Sequence, residues 1–449
     1  MKTTIVQNAS SSKRVYFIDI IRSVAILMML EGHFITFTLA PIFRDDNHPV
    51  YAFWKFTRGL TAPIFFSISG IIFTYLLLKN KHKGFANVRL RKGAKRGFIL
   101  IIIGFLLQIK LFKALLSDIP LFTELFYIYH VLHCIGTCML VVILIYLLQN
   151  YLIKIPLGIM LFLLFISVFV TTPTLRALDY TEIPRFFENI LITSLNTEKK
   201  VSVFPMFPWS GYYFFGGVIG SILYKIKRYG NSFVFAIALL LLGYTLHVSY
   251  YEILKYCSPY LEAVGFESIL PVYEIARVGQ VSIIIAIVLL FYKITSTLPT
   301  IPKTTFVRNS FYTSIAISLL LAILINSQET KHYGWTVASY TFFFGAVVLL
   351  LGKLIGWNKT LFYAIGQNTL VIYVVHVVIL YEGFLGIPFI TYWKASLSPF
   401  VAISGAILFV FSFVLLAKHI DWIENSIASY YRNKTKKHFL KLVGYTFKK

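Results

Sequence analysis

Long apolar segments recur along the whole of this 449-residue chain, and they restrict the folds that it can adopt. Hydrophobic residues make up 58% of the sequence and charged residues only 13%, so few of these segments could face water. An apolar helix of about 20 residues spans the hydrocarbon core of a bilayer, where every backbone polar group must be paired within the protein. The sequence therefore predicts an all-α fold, a polytopic membrane helix bundle.

The apolar segments are numerous enough for about 11–12 transmembrane helices. We place them near residues 17–41, 61–78, 97–112, 127–148, 156–171, 208–224, 232–250, 276–292, 309–326, 335–352, 361–381 and 399–417. The first segment contains Arg22 and lacks a small-residue cleavage pattern, so we expect it to be retained. We predict one transmembrane domain over residues 17–418, between cytoplasmic tails at 1–16 and 419–449.

The distribution of Lys and Arg predicts the orientation, because these residues accumulate in cytoplasmic loops. The net charge is +24, and with both termini inside, the basic residues concentrate on the cytoplasmic side. We do not expect nucleic acid as a partner, since the charge is spread over many cytoplasmic segments and no nucleic-acid-binding module accompanies it. The expected environment is the lipid bilayer, and we expect this to be a bacterial inner membrane.

The densest basic segment is the loop KNKHKGFANVRLRKGAKRG, which contains no acid. Its last residues open the third predicted helix, where Arg89, Arg91, Lys92 and Arg96 offer donors suited to phosphate oxygens. From charge alone, anchoring to anionic lipid headgroups and binding of a phosphorylated cofactor are equally good interpretations.

The first predicted span contains Asp19, Arg22 and His33. A charge at mid-helix costs ~2.5 to 3.5 kcal/mol on insertion scales, so such residues usually face the bundle interior or a wet cavity. His33 lies roughly 16 Å along the helix from Arg22. The span thus presents a cation near one face of the bilayer and an imidazole near the other, although Asp19 and Arg22 could also simply pair with each other.

Five histidines fall toward the external side on this topology: His33, His48, His130, His133 and His376. Each alone could be a hydrogen-bonded structural residue, but five at one level indicate a site. Three imidazoles can hold zinc. Zinc-motif spacing is missing here, however, and we expect no metal.

Five motifs follow one another along most of the chain: R-x4-D-x2-R from Arg14, LTAPIFFSISGIIF, VLHCIGTCML, FPMFPWSGYYFFGGVIG and GQNTLVIYVVHVVILY. In this order they resemble the transmembrane acyltransferase superfamily, above all the catalytic domain of heparan-α-glucosaminide N-acetyltransferase and its bacterial relatives. The ISG followed by a basic loop is also similar to the O-acetylating sugar acyltransferases.

The resemblance implies an integral-membrane acyltransferase that moves an acetyl group from cytoplasmic acetyl-CoA to an extracytoplasmic sugar or glycan. It also implies that the CoA phosphates meet a set of basic side chains, namely Arg22, Arg89, Arg91, Lys92 and Arg96.

Two histidines are candidates for the catalytic base. In the heparan branch the essential histidine lies in the first extracytosolic loop, which is similar to the position of His48, close to Asp45 and Asp46. In the O-acetylating branch it lies late in the first helix, where His33 stands. We favour His48 narrowly, with His33 as an orienting donor or the alternative base. General-base transfer and an acyl-imidazole intermediate both stay open.

Candidate substrate contacts are His133, Trp209, Asn368 and His376, the last two being two turns apart on one face of the eleventh predicted helix. Each has a structural alternative: Trp209 could anchor at the membrane interface, and Asn368 or His376 could form an interhelical hydrogen bond.

The competing function is a twelve-helix secondary transporter, which the lack of a visible internal repeat disfavours.

Overall fold

The computed structural model describes residues 16–109, 115, 128–180, 182–192, 202–226, 233–270, 272–297, 359–381, 391–420 and 422. Regular structure within these ranges is helical, with one isolated β-bridge between Leu39 and Leu397. Six of the helices are long and apolar enough to cross a membrane. The prediction of an all-α polytopic membrane bundle is therefore confirmed.

The α-helices of the described ranges are numbered in chain order. They are α1 (Tyr16–Thr38), α2 (Pro49–Lys79), α3 (Val88–Gln108), α4 (Val131–Tyr151), α5 (Leu157–Ala177), α6 (Arg185–Leu191), α7 (Met206–Lys225), α8 (Phe233–Glu262), α9 (Glu274–Thr297), α10 (Lys359–Gln367), α11 (Thr369–Leu380) and α12 (Pro399–Ile420).

Several helices extend beyond the predicted apolar spans. The helix α3 begins at Val88, well before the apolar span predicted from residue 97, so the basic residues that we expected to open the third helix form its first turns. Lys and Arg are good helix formers whatever their hydropathy. The predicted span 361–381 is divided into α10 and α11 at Asn368. The predicted spans 309–326 and 335–352 lie outside the described residues.

Close packing of α2 against α7 forms the middle of the bundle. A Cβ at Gly70 would overlap the carbonyl oxygen of Tyr213, and one at Gly216 would overlap that of Ser67. Small residues let membrane helices approach closely enough for dense packing and stabilise the pair without a hydrophobic driving force. The glycines of FFGGVIG are therefore packing residues, and they hold α7 against the helix that lines the site.

The helix α1 runs alongside α10 and α11 for much of its length. A Cβ at Gly366 would come within 2.7 Å of the carbonyl oxygen of Asp19, so α10 passes very close to α1. Beyond the last turn of α1, Ala40 N donates to Leu397 O at 3.0 Å, and Ser396 N donates to Thr38 O at 3.0 Å. These contacts fix the start of α12 against the end of α1 that carries His33.

Candidate functional site

A cavity of about 300 Å³ lies between α1, α2, α3, α4, α7 and α11, and we call it the cationic cavity. Its charged lining consists of Arg22, Arg89, Lys92 and Arg96. The three cations from α3 are spaced i, i+3, i+7, which puts them on one face of the helix. Arg91, which we also predicted to bind the cofactor, is exposed on α3 and is not part of this lining.

Asn87 fixes the start of α3 and therefore the direction in which these cations point. Its side chain caps the helix by accepting a hydrogen bond from Arg89 N at 2.9 Å. Its amide nitrogen donates to Leu77 O at 3.0 Å on α2 and to the Tyr146 hydroxyl at 3.1 Å on α4. One fully buried side chain thus connects α2, α3 and α4 at the start of the helix that supplies three of the cations.

Arg22 reaches the same cavity from the first helix. Its Nη2 donates to Thr369 Oγ1 at 3.0 Å, and its Nη1 lies 3.9 Å from Asp19 Oδ1. The pairing that the three-residue spacing allowed is therefore present, and a second partner from α11 orients the guanidinium. Arg22 therefore forms an ion pair within α1 and also lines the cationic cavity.

A second cavity, of about 190 Å³, contains His33, Trp209, Arg58 and Tyr373, and we call it the histidine cavity. His33 Nδ1 lies 3.1 Å from His376 Nε2 on α11. The ring of Trp209 packs against Phe66, with ring centroids 5.7 Å apart. Trp209, which we predicted either to anchor at the membrane interface or to contact a sugar, thus lines the same cavity as His33.

Tyr373 lies between the histidine cavity and the cationic cavity. Tyr373 and Phe65 are the two residues that line both. The Tyr373 hydroxyl lies 3.0 Å from His130 Nε2, and its ring makes an edge contact with His376 at a centroid distance of 4.9 Å. Tyr373 is held on two sides by imidazoles and forms a wall between a basic compartment and a histidine compartment.

His48 lies in a third cavity, of about 680 Å³, between α1, α2 and α12, which we call the outer cavity. His48 is exposed at the N-terminus of α2, and Asp45 lines the same cavity. The two neighbouring acids have other partners: Asp46 Oδ2 accepts from Lys55 Nζ at 2.6 Å, and Asp45 Oδ1 accepts from Asn47 N at 2.9 Å. The outer and histidine cavities share Met28, Arg58 and Thr61.

Three predicted substrate contacts, His133, Asn368 and His376, lie outside these linings, although His376 contacts His33. His133 is buried, and its Nδ1 accepts from the backbone N of His130 at 3.0 Å, which caps α4. Asn368 occupies the break between α10 and α11, so the prediction that it shares one helix with His376 is wrong. The helix breaks there because Asn368 adopts a backbone conformation outside the helical range, with φ −98° and ψ 20°.

Sequence reasoning missed Asn87, Tyr373 and Arg58. Asn87 carried a usable signal, since an Asn just before a helical segment is a favoured N-cap. Tyr373 precedes His376 by three residues, so on a helix the two share a face. Arg58 carried no such signal. Within the described residues, no group of three or more His, Cys, Asp or Glu is arranged to hold a metal ion.

The comparisons with known proteins agree with the motifs. Residues 14–251 match the sequence model of the family described as heparan-alpha-glucosaminide N-acetyltransferase, catalytic. This range is more than half of the 449-residue chain and contains Arg22, His33 and His48. No curated protein matches the chain. The resemblance found in the motifs is confirmed: the chain belongs to the heparan-alpha-glucosaminide N-acetyltransferase catalytic family, and it is a membrane acetyltransferase.

Proposed function

We propose that the protein takes an acetyl group from cytoplasmic acetyl-CoA and transfers it to an amine or hydroxyl of a sugar on the opposite side of the membrane. One observation carries this proposal: three adjoining cavities follow one another, from the cationic cavity through the histidine cavity to the outer cavity. Neighbouring cavities share lining residues, whereas the first and the last share none. Donor and acceptor can thus approach an imidazole from two directions.

The cationic cavity suits the donor. Arg89, Lys92 and Arg96 offer charge-assisted hydrogen bonds to phosphate groups at one side, and Arg22 extends this set across the cavity. Much of the remaining lining is apolar, including Ile68, and accepts the uncharged arm of the donor. The thioester then reaches the wall formed by Phe65 and Tyr373.

His33 is the general base in this proposal, with His376 as a positioning residue. His33 lines the cavity that adjoins both others, whereas His48 lines only the outer one. When Nδ1 of His33 donates to His376 Nε2, its Nε2 is left as an acceptor. That nitrogen takes the proton of the acceptor amine or hydroxyl as the new C–N or C–O bond forms and the C–S bond breaks, and the thiolate of CoA recovers the proton.

His48 and Trp209 are acceptor contacts in this scheme. His48 meets the acceptor in the outer cavity, and Trp209 offers an aromatic face beside His33. The basic N-terminal half of α3 faces the cytoplasm under the positive-inside rule, which puts His33 and His48 toward the outside of a bacterial inner membrane. Direct transfer needs no further residue, and an acyl-imidazole on His33 uses the same geometry.

The test uses purified protein in nanodiscs with radiolabelled acetyl-CoA and glucosamine oligosaccharides. We expect saturable acetyl-CoA binding and label transfer to the acceptor, with transfer lost in His33→Ala while binding persists. Proteoliposomes separate the competing function, because a transporter would move its solute into sealed vesicles without transferring the label. Absence of acetyl-CoA binding by folded protein would overturn the proposal.

A further inference from the structure

We propose that the acceptor is an amphiphile of the membrane, a sugar carried on a lipid chain, which enters the outer cavity sideways from the bilayer. The sugar occupies the side near Glu31, Trp54 and Arg58, and the chain lies along α12. This inference rests on the proposed function, and it names the class of acceptor on which that function acts.

All the polar side chains that line the outer cavity come from α1, α2 and the loop between them, and we call this side the polar wall. Glu31, Asp45, His48, Trp54 and Arg58 lie there among apolar residues such as Ile35, Val50 and Phe53. The other side comes from α12 and is apolar, with Pro399, Ala402, Ile403, Ala406 and Ile407. A soluble polysaccharide would leave polar groups against the apolar wall at a desolvation cost, whereas an amphiphile matches both walls.

The α12 wall lies at the periphery of the bundle. Ile403 and Ile407 retain 48% and 64% of their surface exposed, and Leu408 on the same helix is 67% exposed. Only 22% of the apolar window of α12 is buried inside the protein, the lowest share among the candidate spans of the described residues. The cavity is therefore bounded by a helix that meets lipid, so a lipid chain can reach it without leaving the hydrocarbon region.

The polar wall contains groups that recognise a sugar. Trp54 Nε1 donates to Glu31 Oε1 at 2.6 Å, which holds the indole ring, and the Arg58 guanidinium carbon lies 5.9 Å from the centroid of that ring. An aromatic ring with a carboxylate at its N–H and a guanidinium nearby combines a stacking surface with acceptors and donors for hydroxyl or amine groups. The volume of about 680 Å³ is within the range typical of small-molecule sites.

The same wall leads to the proposed base. Met28, Arg58 and Thr61 line both the outer cavity and the histidine cavity that contains His33. A sugar held at Trp54 and Arg58 therefore lies next to the proton acceptor, while its lipid chain stays against α12. The polar groups therefore lie on the side that adjoins the histidine cavity and the wholly apolar α12 side lies against lipid, as a lipid-linked acceptor requires.

The experiment compares methyl, octyl and dodecyl glucosaminides as acceptors, each at the same mole fraction in nanodiscs. We expect kcat/KM to rise with chain length, by roughly tenfold or more from methyl to dodecyl, since burial of about two methylene groups suffices for such a gain. Ile407→Trp fills the apolar side of the cavity and should abolish most of this preference. Leu408→Trp is the matched control, because Leu408 is similarly exposed on the same helix but does not line the cavity.

A second readout does not depend on transfer. A dodecyl glucosaminide with a diazirine in its chain should label the segment 399–407, and excess dodecyl glucosaminide should compete while methyl glucosaminide should not. Labelling that is unchanged in Ile407→Trp, or equal rates for all three acceptors, would overturn the inference and leave the proposed function standing. If dodecyl glucosaminide competes for the labelled site but no acceptor is acetylated, the binding site is supported and the proposed function is overturned.

Discussion

His33 Nδ1 and His376 Nε2 lie 3.1 Å apart, although 343 positions separate the two residues in the chain. The contact joins α1 to α11 at the histidine cavity, and Tyr381 packs edge-on against the His33 ring at 5.6 Å. One hydrogen between two imidazoles makes one a donor and the other an acceptor. The second histidine therefore decides which nitrogen of the first is able to accept a proton.

We expect His33→Ala to lower kcat by about 10²- to 10⁴-fold, the usual contribution of a positioned general base. Acetyl-CoA affinity should change little, because the proposed donor contacts lie in the cationic cavity. His376→Ala should lower kcat and shift the pH profile, and His376→Gln should restore part of the rate because its amide can still accept. Steady-state kinetics across pH checks these expectations.

His48→Ala is the comparison for that series, since His48 lines the outer cavity alone. It should raise KM for the acceptor more than it lowers kcat. A collapse of kcat in His48→Ala with near-normal turnover in His33→Ala would reverse the proposed roles and support the base that sequence reasoning favoured.

Charge removal on α3 should separate the cavity face from the rest of the helix. We expect Arg89→Ala and Arg96→Ala to weaken acetyl-CoA binding roughly fivefold or more each, with a smaller penalty at high salt because screening already weakens the contact. Arg91→Ala removes the same charge from the same helix outside the cavity lining and should bind normally. Calorimetry at two ionic strengths measures this difference, and equal losses in all three variants would point to lipid anchoring instead.

Tyr373 should control leakage between the two inner cavities. Tyr373→Ala removes a wall that both share, so water should reach the thioester and the ratio of acetyl-CoA hydrolysis to acetyl transfer should rise. Tyr373→Phe keeps the ring and loses only the contact to His130, so its ratio should stay near that of the wild type. Release of free CoA with and without acceptor is the measurement.

Asn87 should be a stability residue as well as an organiser of the donor site. Asn87→Ala removes hydrogen bonds to α2, α3 and α4, and we expect a loss of about 2 kcal/mol or more in stability. Asn80→Ala removes the bond that Asn80 donates to Asn87 and an exposed one that it accepts from His82 N at 3.3 Å, and it should cost less because solvent can replace the exposed bond. Thermal unfolding in detergent compares the two, and a neutral Asn87→Ala variant would contradict the proposed role.

Membrane orientation can be tested with single cysteines in a background lacking Cys134, Cys138 and Cys257. Asp46→Cys lies in the loop before α2 and should react with an impermeant thiol reagent from outside intact cells, whereas Lys83→Cys should react only after lysis. Both positions are exposed, so access to the side chain is not limiting. The opposite pattern would invert the topology and the proposed direction of transfer.

Local sequence signals are sufficient to place some of the proposed site residues on one helix face, but they do not show which residues of other helices lie beside them. The spacing of Arg89, Lys92 and Arg96 is sufficient to put them on one face, and Arg22 reaches the same cavity from α1. Helical spacing also explains why Arg91 is not part of the cavity lining, because it lies on a different face of α3 from Arg89, Lys92 and Arg96. That argument needs the helix to begin at Val88, which only the structure shows. A hydropathy pattern could not locate that start, because the first turns of α3 are basic.

The sequence by itself determined the fold class, since long apolar segments can pair their backbone N–H and C=O groups in a bilayer only as helices. It also determined the family, through its motifs, and with the family the class of chemistry. It also determined which side chains are charged within each helix. Only the tertiary structure decided which imidazoles meet. His33 contacts His376, Tyr373 contacts His130, and His48 lies apart. The physical reason is that periodicity acts over a few residues, whereas these contacts depend on how distant helices pack against one another.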